Sequence, residues 1–156
     1  MDRRSLGALA LSLAASATAA AVGGLGAQDA PAVYERLDKP AWAPPAGVFG
    51  PAWTVLYAGI GVAGWRLWRA GGDRKLLVLH GVQLALNAAW TPVFFGAGAR
   101  AGALGIILAL DVAVAAELAA AAKRDRIAAA LLAPYLGWLL YATALNAAVG
   151  NPQPGS

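Results

Sequence analysis

A single stripe of polar and aromatic side chains stands out in an apolar stretch of this sequence. His80, Gln83, Asn87, Trp90 and Phe94 follow one another at steps of three or four residues, which places them on one face of a helix. Amides can orient a bound molecule by hydrogen bonding, and aromatic rings can stack on a flat apolar one. The amides could instead bridge neighbouring helices. Because two aromatic residues continue the stripe, we favour a role for Asn87 in orienting a ligand.

Two other apolar stretches carry aromatic residues at helical spacing. Trp53 and Tyr57 lie four residues apart, and Trp138, Ala142 and Leu145 follow at steps of four and three. Membrane bundles usually pack through small residues, so three aromatic-bearing faces predict a bulky, irregular interior. Such an interior suits a flat, apolar ligand whose orientation is fixed by a few amides.

The sequence offers few groups for ordinary enzyme chemistry. It has no cysteine and His80 is its only histidine, so neither a thiolate nor a multi-histidine metal site is expected. Asp111 is an intramembrane carboxyl, and therefore a functional candidate unless it is protonated or hydrogen-bonded to a neighbouring helix. Glu117 lies six residues on, on a different face, and we expect it to reach water. We predict no catalytic residue, no metal ligand and no required cofactor.

The composition places these stretches in a membrane. The 156-residue chain is 60% hydrophobic and only 13% charged, against about 25% charged residues in soluble domains. A membrane helix needs about 20 apolar residues to cross about 30 Å of hydrocarbon. Charged residues divide the chain into stretches of that length. We predict an all-α integral membrane protein, a five-transmembrane-helix bundle with spans near residues 5–25, 46–68, 76–96, 101–121 and 127–149.

The first span has an alternative interpretation. Its basic start, MDRR, is followed by an apolar run that ends in small residues, as in a secretory signal peptide. Cleavage of that segment would leave four membrane helices. The hydropathy of the segment alone does not separate the two interpretations.

The basic residues are distributed unevenly between the two sides of the predicted bundle. With alternating spans, nine Lys and Arg residues fall on one side, and three, Arg36, Lys39 and Arg100, on the other. Cytoplasmic loops carry the excess of positive charge. We therefore predict a multi-pass protein of a bacterial cell membrane with a cytoplasmic N-terminus. This topology accounts for the net charge of +4 without a nucleic-acid partner.

The connection between the first two spans, residues 26–45, is the longest in the chain. Long connections often carry function or act as lids. Pro44 and Pro45 stiffen the segment because each proline fixes its own φ and restricts the preceding residue. We predict a lid that holds Tyr34 and Trp42 over a pocket. For Trp42, an anchor at the membrane interface is the alternative.

Three motifs resemble those of a known membrane-protein family. They are YERLDKPAWAPPAGVFGPAWTVLY, LNAAWTPVFF and PYLGWLLYATALN. Through them, from about residue 34 to 146, the chain resembles the tryptophan-rich sensory protein / translocator protein family, TspO/MBR, which includes the peripheral-type benzodiazepine receptors. The resemblance implies a five-helix bundle, commonly a homodimer. It favours retention of the first segment and a single membrane domain over residues 1–156.

The resemblance also implies a ligand. Family members bind porphyrins such as protoporphyrin IX and heme, so we expect a tetrapyrrole-binding protein that acts as a sensor, carrier or scavenger in tetrapyrrole homeostasis and stress response. Its partners would be the tetrapyrrole, membrane lipid and a second copy of the chain. Carried over by motif, the ligand-binding residues are Tyr34, Trp42, Trp53, Tyr57, Asn87, Trp90, Phe94, Trp138, Ala142 and Leu145.

Two other functions remain open. One is a membrane enzyme that degrades the porphyrin by light- or oxygen-driven oxidation, which needs no nucleophile–base pair. The other is a lipid- or sterol-binding subunit that regulates a partner. Animal members follow the LN of the last helix with a tyrosine and a basic residue, whereas here Asn146 is followed by AAVGNPQPGS. This difference argues against sterol binding, although the sterol motif is itself weak.

Overall fold

The computed structural model describes residues 1–26 and 28–149, and this part of the chain folds into helices. A 3₁₀ turn, Ala46–Val48, precedes the third helix, and a π-helical turn, Pro92–Gly96, follows the fourth. The α-helices are α1 (Arg3–Leu25), α2 (Ala30–Arg36), α3 (Phe49–Arg69), α4 (Arg74–Thr91), α5 (Arg100–Ala122) and α6 (Arg126–Ala148).

Five of these helices are long and apolar enough to cross a membrane. They confirm the predicted all-α five-helix membrane bundle, and each end lies within two residues of the predicted span. The short helix α2 was not anticipated, because the whole connection from 26 to 45 was expected to be a proline-stiffened loop. Pro31 sits in the first turn of α2, where the missing N–H has no helical acceptor.

Aspartates begin three of the long helices at the same end of the bundle. Asp2 caps α1, Asp73 caps α4 and Asp125 caps α6, each by accepting hydrogen bonds from backbone amides of the first turn. A capping side chain satisfies amides that have no partner within the helix and is worth about 1 kcal/mol. The charges that interrupt the hydropathy pattern therefore also fix where the helices start.

Two of these caps form ion pairs, one with a basic residue in the last turn of α3 and one with a basic residue of the α5–α6 loop. Asp125 lies 3.0 Å from Arg66, and Asp73 lies 2.8 Å from Arg124. Amide hydrogen bonds, led by that from Leu76, hold the pKa of Asp73 below its usual value, and Arg124 adds to the effect. Burial raises the pKa of Asp125, but its amide hydrogen bonds and Arg66 lower that pKa by more. The stability that both carboxylates contribute is present above their unfolded pKa and is lost as the pH falls through the folded pKa.

Helix α1 packs closely on α3 through small residues. The Ser12 hydroxyl donates to the Gly61 carbonyl at 2.6 Å, and the Ser16 hydroxyl donates to the Tyr57 carbonyl at the same distance. A Cβ atom on Gly64 would lie 2.5 Å from Ser12 Oγ. Small side chains let the backbones approach until van der Waals contacts and interhelical hydrogen bonds form, which is how helices associate in lipid.

The expectation that Glu117 reaches water is wrong. Glu117 is fully buried and bonds to His80 Nδ1 of α4. It lies on the buried stripe of α5, between Val114 and Ala121, which turns toward the other helices. An intramembrane carboxyl is stable only with a partner, and the only histidine of the chain provides it.

Asp111 accepts a hydrogen bond from Thr143 of α6 at 2.6 Å. Of the roles considered for this carboxyl, the structure therefore shows the hydrogen bond to a neighbouring helix.

We predict that Gly64→Ala destabilises the bundle. The added Cβ would lie 2.5 Å from Ser12 Oγ and 2.7 Å from His80 Nε2, and both side chains are held by hydrogen bonds of their own. Overpacking of this kind costs about 1–3 kcal/mol. Thermal unfolding in detergent should therefore show a lower midpoint for the ligand-free variant.

Gly81→Ala is the matched control, because a Cβ atom on Gly81 of α4 would meet nothing within 4 Å. Alanine favours a helix over glycine by up to about 1 kcal/mol, so this variant should be unchanged or slightly more stable. Equal midpoints for the two variants would contradict the close contact at Gly64.

Candidate ligand-binding site

An apolar cavity of about 310 Å³ lies at the end of the bundle opposite the aspartate caps. Its wall is formed by the last turns of α1, α4 and α6, the first turns of α3, and α2 of the connecting segment. The volume lies at the lower end of the range for small-molecule sites, about 300–1,000 Å³. Seven of the ten predicted ligand-binding residues line it: Tyr34, Trp53, Tyr57, Trp90, Phe94, Ala142 and Leu145.

Aromatic packing shapes the wall. Trp90 and Phe94, four residues apart, stack with ring centres 5.3 Å apart and an interplanar angle of 28°. Trp53 stands edge-on to Tyr135 and Trp138, with ring centres 6.3 and 6.4 Å away. Offset and edge-to-face pairs of this kind are the favoured arrangements of aromatic rings. These contacts hold the indole of Trp53 in a fixed orientation at the cavity.

Trp138 lies behind the wall rather than in it. Its ring packs edge-on against Phe49 at 5.8 Å and Trp53 at 6.4 Å, both of which line the cavity. Its indole Nε1 is buried without a hydrogen-bond partner among the described residues. Trp138 therefore supports the rings that face the cavity.

Trp42 also lies away from the cavity wall and is 48% exposed. Its ring packs against Tyr141 of α6 with centres 5.7 Å apart, and its carbonyl accepts a hydrogen bond from the Tyr141 hydroxyl at 2.8 Å. Trp42 thus fastens the connecting segment to α6. Its exposure also suits the interfacial anchor that the sequence left open.

Asn87 lies one layer below the cavity, in a chain of side-chain hydrogen bonds. The Tyr57 hydroxyl donates to Asn87 Oδ1 at 2.5 Å, and Asn87 Nδ2 donates to the Tyr135 hydroxyl at 2.8 Å. The Tyr135 hydroxyl in turn donates to Gln83 Oε1 at 2.7 Å. The chain links α3, α4 and α6. Because protein groups satisfy Asn87, the structure favours the helix-bridging role over direct orientation of a ligand.

The connecting segment closes the cavity on one side. The Tyr34 hydroxyl donates to the Pro44 carbonyl at 2.6 Å, and the Tyr34 ring stands edge-on to Phe49 at 5.1 Å. Lys39 Nζ donates to the Tyr34 carbonyl at 2.6 Å and lies 4.8 Å from the centre of its ring. Burial raises the pKa of the Tyr34 phenol, and Tyr141 raises it further. The segment therefore has an ordered internal structure suited to a lid.

Several wall residues were not predicted. Phe95 reaches the cavity beside Phe94 because the π turn, closed by a hydrogen bond from Ala97 N to the Pro92 carbonyl at 2.9 Å, accommodates an extra residue. The tryptophan and phenylalanine spacing gave no signal for α1, which contributes only small residues. The other unpredicted residues are Ala20, Gly23, Gly24, Ala30, Pro31, Ala46, Phe49, Gly50, Thr91 and Asn146.

Comparison with known proteins points to the same family as the sequence motifs. The model of the TspO/MBR family matches residues 8–151. The chain is 41% identical to the translocator protein of Homo sapiens over 127 residues, which covers 78% of this chain and 75% of that protein. It is 42% identical to the tryptophan-rich sensory protein of Cereibacter sphaeroides over 113 residues, 72% of each chain. It is also 39% identical to a tryptophan-rich protein of Archaeoglobus fulgidus over 125 residues, 79% of this chain and 81% of the relative.

We predict that Asn87→Leu lowers the stability of the ligand-free protein. Leucine has a similar volume but leaves the Tyr57 hydroxyl without its acceptor, and it removes one of the two hydrogen bonds of the Tyr135 hydroxyl. A buried polar group without a partner costs about 1–3 kcal/mol. The thermal midpoint in detergent should fall whether or not a ligand is present.

A double-mutant cycle provides the control. Tyr57→Phe removes the hydroxyl that Asn87→Leu would leave without an acceptor, so Asn87→Leu should cost less in that background than in the wild type. Unchanged stability of ligand-free Asn87→Leu, together with a smaller ligand-induced shift, would instead support a direct role in orienting the ligand.

Proposed function

The chain belongs to the TspO/MBR family of integral multi-pass membrane proteins, and on that basis we propose that its aromatic cavity binds a flat tetrapyrrole such as protoporphyrin IX or heme. One observation carries the proposal. An uncharged cavity walled by tryptophan, tyrosine and phenylalanine lies between the membrane helices, beneath an ordered connecting segment. Large aromatic rings are suited to stack on a planar, conjugated macrocycle.

The connecting segment bears on how such a ligand enters, because its residues Ala30, Pro31 and Tyr34 form part of the cavity wall. We propose that this segment shifts outward when the ligand enters. It is held by a few hydrogen bonds, such as those from Tyr34 to Pro44 and from Tyr141 to Trp42. A few hydrogen bonds can be exchanged for contacts with the ligand, whereas the glycine-packed helices cannot move apart so readily.

The physiological role that we propose is reversible binding of a tetrapyrrole. The protein acts as a sensor, carrier or scavenger in tetrapyrrole homeostasis and stress response, in the membrane and as a homodimer. The names of two relatives, a tryptophan-rich sensory protein and a translocator protein, belong to those proteins and are compatible with this role. Reversible binding needs no nucleophile or metal, only stacking surfaces and a movable lid.

Incubation of the purified protein with protoporphyrin IX, followed by absorption and fluorescence spectra, tests the proposal. Saturable binding without a new pigment supports the sensor, carrier or scavenger role. A new pigment that accumulates in light or oxygen would favour the porphyrin-degrading enzyme. Absence of binding would favour a lipid-binding subunit that regulates a partner.

We predict that Ala142→Leu weakens protoporphyrin IX binding. Ala142 is buried and lines the cavity, so the larger side chain occupies space that the ligand needs. Overpacking costs about 1–3 kcal/mol. If the ligand-bound state alone carries this cost, the affinity falls by roughly 5- to 150-fold. Quenching of tryptophan fluorescence measures the change.

Ala144→Leu is the matched control, since Ala144 lies two residues on in the same helix, is exposed and is not part of the cavity wall. Its affinity should equal that of the wild type. If the two variants bind equally well, the ligand lies outside this cavity.

We propose that the end of the bundle with the cavity faces away from the cytoplasm, on the basis of the nine-to-three distribution of Lys and Arg. A reporter enzyme fused after Ser156 should therefore be active outside the cytoplasm, whereas one fused before Met1 should be active inside it. The opposite pair of activities would contradict this orientation.

A further inference from the structure

The wall of the cavity carries no charge. Among the described residues that line it there is no Asp, Glu, Lys or Arg. Three of its polar side chains, Tyr34, Tyr57 and Trp90, already donate their hydrogen to protein acceptors. A carboxylate placed inside would lose its water and gain no ionic partner, which is strongly unfavourable. A ligand that carries an acid group must therefore keep that group at the edge of the cavity.

Arg100, at the start of α5, is a cation at that edge. Its guanidinium lies 5.6 Å from the centre of the Phe94 ring, and Phe94 lines the cavity. Its backbone carbonyl accepts a hydrogen bond at 3.1 Å from Nδ2 of Asn146, which is another wall residue. Arg100 thus contacts two residues of the wall, Asn146 through its backbone and Phe94 through its side chain, without being part of the wall itself.

The guanidinium of Arg100 has no ionic partner in the part of the chain that the structure describes, whereas Arg66 and Arg124 are each paired with an aspartate. Its polar contact is a 3.4 Å hydrogen bond from one terminal nitrogen to the Gly98 carbonyl. Its Nε is buried and has no acceptor. A guanidinium presents its N–H groups as a fork that matches a carboxylate, and the Nε–H of Arg100 is a donor that an anion could use once the side chain turns.

The two other basic residues on this side of the bundle, Lys39 and Arg36, are less suited to bind an anion at the edge of the cavity. Lys39 Nζ donates to the carbonyls of Tyr34, Glu35 and Leu37, so its three hydrogens are engaged at the end of α2. Arg36 is exposed to solvent on α2 and is not part of the cavity wall. Arg100 is the basic residue that combines contact with the wall and an N–H without an acceptor.

We infer that Arg100 is the anion-binding end of the cavity and that the ligand is a flat aromatic acid whose carboxylate pairs with this guanidinium. The inference rests on the proposed tetrapyrrole binding and narrows it to acid-bearing ligands over neutral ones. The aromatic body lies among the uncharged rings, while the acid remains at the end of the bundle, where α5 begins and water is near. The long, partly exposed arginine side chain can turn from Phe94 toward the carboxylate.

The first test needs no mutation. Binding of protoporphyrin IX and of its dimethyl ester to the wild-type protein in lipid nanodiscs is compared by tryptophan quenching. The ester keeps the ring system but has no negative charge. The acid should bind on the order of 10-fold more tightly, as expected for one hydrogen-bonded contact to a charged group at a partly exposed site.

Two variants then assign the preference to a residue. Arg100→Gln should bind acid and ester with similar affinity, whereas Arg36→Gln, which removes an equal charge on the same side, should keep the preference of the wild type. Thermal unfolding of both ligand-free variants checks that they are folded. If Arg100→Gln does not fold, Arg100→Lys, which keeps the charge but lacks the fork, should show a reduced preference for the acid.

The outcomes separate this inference from the proposed function. Equal affinity of the wild type for acid and ester would overturn the role of Arg100 and leave porphyrin binding intact. A preference that persists in Arg100→Gln, or that disappears equally in Arg36→Gln, would also overturn it. If neither pigment binds, the proposed function itself is wrong.

Discussion

The polar face of α4 joins the bundle together. His80 bonds to α5, Asn87 bonds to both α3 and α6, and Trp90 donates to Asn146 of α6 at 3.0 Å. In lipid, apolar side chains gain little by leaving their surroundings, so helices associate through close packing and interhelical hydrogen bonds. A polar side chain facing lipid would be left without a partner, which sets the rotation of α4 relative to its neighbours. The hydrogen bonds of this face thereby position α3, α5 and α6 around α4, whereas α1 is held on α3 by its serines.

The side chains that pack between the helices differ in size between the two ends of the bundle. Toward the aspartate caps, Gly61 and Gly64 allow α3 to approach α1 and α4 closely. Toward the other end, tryptophan, tyrosine and phenylalanine replace these small residues, and rings of that size cannot interdigitate without gaps. The gap is the cavity, and the chain from Tyr57 to Gln83 closes its floor. The closely packed, glycine-containing end of the bundle therefore supports the walls of the cavity at the aromatic end.

The distribution of charge follows the same division. The caps and their arginine partners lie at the glycine-packed end, whereas the described wall of the cavity is neutral. A neutral aromatic wall selects ligands by their shape and by their apolar surface. A charged group of a ligand can find an ionic partner only at the edge of such a wall. Acid–base chemistry on a bound molecule would need a titrating group at the reacting atoms, and the titratable groups among the described residues of this wall are the phenols of Tyr34 and Tyr57.

The sequence alone determined which residues share a face, how many helices cross the membrane and to which family the chain belongs. Periodicity and charge interruptions report these features directly, and seven of the ten ligand residues drawn from the motifs reach the cavity. The tertiary structure decided what each face meets. It gave Glu117 a histidine partner, placed Asn87 behind the wall, and brought Phe95 and the small residues of α1 into the wall. Lipid and protein interior are similarly apolar, so a hydrophobic pattern does not tell which side of a membrane helix is buried; only the packing of the helices settles it.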